Sequence, residues 1–111
     1  MVTKISVDIP ICDKKAFITA MKISTNKINI LIESDCNQIK RLGQNFKEIT
    51  MKDACLSFDE NPVFMLSKKY GVTTTCLVPC AIINAVWVEA GLISKNLLED
   101  ERMKELKFKF V

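Results

Sequence analysis

The sequence contains no histidine in 111 residues. That absence removes Ser-His-Asp and Cys-His nucleophile pairs, two-histidine zinc motifs and the usual general base near neutral pH. Any metal would have to be held by cysteine, carboxylate, backbone or water. Also missing is an apolar run of the roughly 18 residues that span a bilayer. The start, "MVTKISVDIPIC", has no basic region followed by an apolar stretch and a cleavage site. A signal peptide is therefore not expected, and a cytoplasmic location is. Aromatic residues make up only 7 %, and the formal charge is a modest +3. Lysines and arginines are scattered, apart from Arg102, Lys104, Lys107 and Lys109. Without an aromatic-plus-basic platform, no nucleic-acid partner is expected. No repeat, low-complexity tract or linker divides the chain.

What is present is an ordinary globular composition, 49 % hydrophobic and 26 % charged. Residues 1–111 suit one domain, which at this size buries roughly two-thirds of its unfolded surface. The conspicuous feature is five cysteines, Cys12, Cys36, Cys55, Cys76 and Cys80. The count is odd, and a cytoplasmic chain keeps thiols reduced, so a disulfide framework is not expected. Buried structural thiols, metal ligands and redox thiols remain.

Alternation predicts strands over 3–9, 15–23 and 27–32, with "STN" (24–26) as a turn. Connections this short make an antiparallel meander. In "ESDCNQIKRLGQNF", Ser34 or Asp35 supplies an N-cap, and Ile39, Leu42 and Phe46 repeat at helical spacing. A turn or two follows over 50–56. Asn61 and Pro62 open a helix that Gly71 stops, and Pro79 opens another that Gly91 closes. Ser94 begins a further helix to about Glu105, and "LKFKFV" alternates as a last strand. The fold class is α+β: a three-stranded antiparallel meander, helices on one face, and a C-terminal strand.

Cys12 falls between the first two strands, Cys36 at the first turn of the helix after the third, and Cys76 just before the Pro79 helix. Helix N-termini favour the thiolate, the form that binds metal. Thiolates select zinc, Cu(I) or iron–sulfur clusters. Asp13 and Asp35 adjoin two of these cysteines as oxygen ligands, and Cys80 lies one turn beyond Cys76. A shared centre with Zn–S bonds near 2.3 Å needs sulfurs about 4 Å apart. The competing reading packs the cysteines as small hydrophobes in the core. Cys55 fits that reading best. The helix "PCAIINAVWVEAG" is apolar nearly all round, so it is buried or covered by a partner. Its Glu89 reads as a satisfied or rim carboxylate rather than an acid catalyst.

The blocks "ICD", "IESDC", "TCLVP" and "VEAGL" resemble a small, uncharacterised prokaryotic family of about this length. Its pattern runs C…(I/V)ESDC…C-P-V-P…EAGL. The resemblance implies a shared cysteine set at Cys12, Cys36 and Cys76, with Cys55 and Cys80 as additions. More distantly the chain resembles NifU-like and IscU-like iron–sulfur scaffold proteins, which implies their topology and three cysteines in the same order. Here their C-G-D is Cys12-Asp13-Lys14, and Thr75 stands in place of their histidine.

Two functions remain in view. One is a metal or iron–sulfur binding protein holding zinc or a cluster through Cys12, Cys36 and Cys76, completed by Asp13, Asp35 or Cys80. The other is a non-enzymatic interaction or structural module with buried cysteines, engaging a protein partner or its own copies. A thiol enzyme is disfavoured, because neither a base nor a C-x-x-C pair is visible.

Overall fold

A computed structural model describes residues 2–9 and 12–94. The helix expected from Ser94 and the strand expected over 106–110 lie outside the described residues. Three long strands form a meander: β1 (Val2–Ile9), β2 (Lys14–Lys22) and β3 (Lys27–Ser34). All pairs are antiparallel, with Ile5 opposite Ile18 and Ile18 opposite Ile32. A three-residue strand, β4 (Glu48–Thr50), adds to β3 and gives the order β1-β2-β3-β4. It is too short for alternation to reveal, and its pairing partners are 19 to 23 residues away in sequence, as with Ile28 opposite Ile49.

Strand period 2 sorts the side chains onto two faces. Val7, Ile9, Ala16, Ile18, Ala20, Ile28, Ile30 and Ile32 point into the core. Helices α1 (Asn37–Asn45), α2 (Met51–Ala54), α3 (Pro62–Lys69) and α4 (Val78–Glu89) supply the other side of one apolar cluster. The architecture is α+β, a four-stranded antiparallel sheet with helices. Burying each large aliphatic side chain contributes roughly 1.5–3 kcal/mol.

The helix boundaries follow local chemistry. Asn61 caps α3 by accepting from Val63 N–H at 3.1 Å, with Pro62 in the first turn. Gly71 ends it at φ +72°, a conformation a side chain would strain. In α4, Ile82, Ala85, Val86 and Val88 are buried, as its composition requires. Trp87 is half-buried, and its indole N–H donates to the Ala54 carbonyl at 2.9 Å, locking α4 to α2.

At α1 the expectation is corrected. Neither Ser34 nor Asp35 caps this helix; the N-cap is Cys36, and its side chain makes no capping bond. Both polar side chains are recruited by β2 instead. Lys15 N–H donates to Asp35 Oδ1 at 3.0 Å, and Ser34 Oγ donates to the Lys15 carbonyl at 2.6 Å.

Candidate functional site

The register decides which loop ends meet. Ile9 pairs with Lys14, and Ala16 pairs with Ser34. The β1–β2 turn and the exit of β3 therefore lie at the same end of the sheet. Cys12 sits in that turn, its Sγ 3.8 Å from the Ile9 carbonyl. Cys36 sits two residues past β3, its N–H donating to Ser34 Oγ at 3.1 Å. The Lys15 bonds to Ser34 and Asp35 staple the two chain segments together.

The third segment arrives through α4. At the far end of this helix Glu89 is bonded to Thr3 and Lys22, where β1 begins and β2 ends. A helix of 12 residues rises about 18 Å, close to the length of the strands beneath it. Its first turn, and Cys76 just before it, consequently return to the Cys12 end. Gln38 ties this segment to α1 by donating from Nε2 to the Gly71 carbonyl at 3.3 Å. Its Oε1 lies 3.7 Å from Cys36 Sγ. Nothing in the sequence singles out Gln38, because its two partners are 2 and 33 residues away and only the fold joins them.

Electrostatics register the same convergence. The Cys76 thiol is pushed above its ordinary pKa, chiefly by burial. Negative charge on Cys12 and Cys36 pushes it the same way, and the Val78 N–H opposes. Both sulfurs therefore lie within electrostatic reach of the third. The expected thiolate-favouring effect of the α4 start is present in the Val78 N–H, but desolvation outweighs it. Asp35 is lowered from the ordinary carboxylate range, first by the Lys15 N–H and further by Lys14 and Lys40 nearby.

Gathering is not ligation. Among the described residues, no group of three or more cysteines and carboxylates stands in position to hold a metal ion. Asp35 is exposed with one oxygen already bonded to Lys15. Asp13 is exposed at φ 54°, in the left-handed region. Cys80 is exposed on α4, and its Sγ accepts from Asn84 Nδ2 at 3.4 Å.

The expectation of buried structural cysteines is also corrected. Cys12, Cys55 and Cys80 are exposed, and Cys36 and Cys76 are partly buried. Cys55 in particular lies at the end of α2, where Ala54 takes the core position and Cys55 faces outward. Cys36 and Cys76 touch the apolar cluster from its margin.

The model of a family of unknown function, DUF6951, matches residues 3–100. No curated protein and no solved structure matches the chain. The chain belongs to DUF6951, which carries no assigned activity.

Proposed function

We propose that this DUF6951 member is a thiolate-ligated metal or iron–sulfur binding protein, scaffold-like in character, whose ligands are Cys12, Cys36 and Cys76. The observation that carries the reading is the arrival of three loop ends at one end of the sheet, each delivering an accessible or half-accessible sulfur. Asp13 and Asp35, which flank two of these sulfurs, are the candidates for an oxygen ligand, and Cys80 for a fourth sulfur. The donor set suits zinc, Cu(I) or a cluster. Rotation about Cα–Cβ moves a thiol sulfur by roughly 3 Å between staggered wells. The ligands would thus close on an arriving ion, a property that fits delivery or assembly better than a permanent structural ion. The resemblance to NifU-like and IscU-like scaffolds adds to this reading through the order of the three cysteines. Thr75, in place of the histidine, removes their nitrogen ligand.

The test is metal content. After anaerobic loading with zinc, or with iron and sulfide, the chain is expected to bind close to one ion or cluster per chain. Cys12→Ser, Cys36→Ser and Cys76→Ser each lower the stoichiometry or weaken affinity at least tenfold; Cys55→Ser leaves both unchanged. Binding that persists in all three variants sinks the proposal.

A further inference from the structure

Three segments bring sulfurs to one end of the sheet, and two of them share an anchor. Lys15 joins the β1–β2 turn, which carries Cys12, to the exit of β3, which carries Cys36. The Cys76 segment has no bond to that staple. Its own N–H closes a turn on the Thr73 carbonyl at 3.0 Å, and α4 begins two residues later. The Glu89 clamp lies at the opposite end of α4, about 18 Å away at the helical rise. A tilt of about 10° about that clamp moves the start of a helix this long by about 3 Å. Displacements on that scale separate sulfurs within reach of one another from sulfurs out of reach.

Gln38 supplies a tie at the near end. It stands in the first turn of α1, exposed, two residues after Cys36. Its Nε2 donates to the carbonyl of Gly71, five residues before Cys76. Its Oε1 accepts from the Cys36 thiol at 3.7 Å. Among the described residues, the bond to Gly71 is the one hydrogen bond between α1 and residues 71–77. Gly71 is itself fixed, because α3 ends there. Gly71 N–H donates to the Lys68 carbonyl at 3.2 Å, and Val72 N–H to the Ser67 carbonyl at 2.9 Å. One side-chain amide therefore touches the residue that carries the second sulfur and the segment that carries the third.

We propose that Gln38 is a positioning residue, holding the Cys76 segment against Cys36 so that the three sulfurs form one site. The assignment deepens the metal-binding reading and takes its purpose from it. The geometry it describes belongs to the metal-free chain and is measured there.

Thiol pairing in a glutathione redox buffer, without metal, reads that geometry. Two protein thiols and one glutathione disulfide give the protein disulfide and two glutathiones, so the equilibrium reports the effective concentration of one sulfur at the other. In the full chain carrying Cys12→Ser, Cys55→Ser and Cys80→Ser, the remaining pair is Cys36 and Cys76. Gln38→Met, of similar length but without the amide, is expected to lower their effective concentration about three- to tenfold, the factor that a single neutral hydrogen bond contributes. Gln38→Lys still donates to the Gly71 carbonyl and is expected to retain it. The Cys12–Cys36 pair, isolated by Cys55→Ser, Cys76→Ser and Cys80→Ser, is stapled by Lys15 and is expected not to respond to Gln38→Met. General loosening of the fold would move both pairs. A Cys36–Cys76 pair that does not form in the parent, or that is indifferent to Gln38→Met, overturns the proposal, and so does an equal loss in both pairs. Metal loading is scored separately. A parent that binds metal while its pair ignores Gln38→Met keeps the metal site and loses the role of Gln38. A pair that responds in a chain that binds no metal keeps the role of Gln38 and loses the metal site.

Discussion

At Cys76, burial and neighbouring thiols act in one direction. Both raise the pKa, so the folded protein holds its proton more tightly than the unfolded chain does. The stabilisation is fully present below the ordinary thiol range and is lost as pH rises through it toward the raised folded value. Urea unfolding between about pH 7 and pH 10 is expected to show stability falling with pH, with a shallower slope in Cys76→Ala than in the parent. Equal slopes would remove the electrostatic contact between the three sulfurs. The same raised pKa makes metal capture proton-coupled: binding releases the proton and tightens with pH. That Cys76 is a candidate ligand is legible from its place before Pro79. The sign of its pKa shift is not, because the sequence advertises the helix start and conceals the apolar neighbours.

At the scale of elements, the meander and the helices α3 and α4 were legible because their signals are local. Alternation fixes each strand, and Asn61-Pro62, Gly71, Pro79 and Gly91 punctuate the helices. The start of α1 was not, because Ser34 and Asp35 are good capping residues whose competing partner, Lys15, belongs to another strand. Docking of α1 on β3 rests on a small residue. A methyl at Gly43 would lie 3.0 Å from the Ile32 carbonyl oxygen and 3.1 Å from Ile32 Cβ. In an exposed helix, replacing glycine by alanine gains about 1 kcal/mol. Here Ile32 is held in the sheet opposite Ile18, which limits how far it can retreat. Gly43→Ala is therefore expected to lower the melting temperature, read by thermal denaturation, instead of raising it. Gly43→Val, bulkier and β-branched, lowers it further.

Over the whole molecule, a buried carboxylate joins the two ends of the described chain. Glu89 is 2 % exposed, and its oxygens accept from Thr3 Oγ1 and from Lys22 N–H, both at 2.9 Å. The expectation of a satisfied carboxylate matches this arrangement. Because α4 runs the length of the sheet, this clamp also sets where its opposite end delivers Cys76. Glu89→Ala leaves the buried Thr3 hydroxyl and the part-buried Lys22 N–H without that acceptor and is expected to cost about 2–3 kcal/mol of unfolding free energy. Thr3→Val removes one donor and costs about 1 kcal/mol. Chemical denaturation reads both. A Glu89→Ala protein of undiminished stability would sink the clamp.

From the sequence by itself came the elements, the α+β class, the buried character of α4 and the three cysteines worth following, all of which depend on residues near one another in the chain. Tertiary structure alone decided that the three sulfurs share one end of the sheet and that Cys55 and Cys80 face solvent. It also decided that Gln38 meets both Cys36 and Gly71. The physical reason is register: pairing across strands, and the docking of α4 across them, sets distances between residues that no local pattern relates.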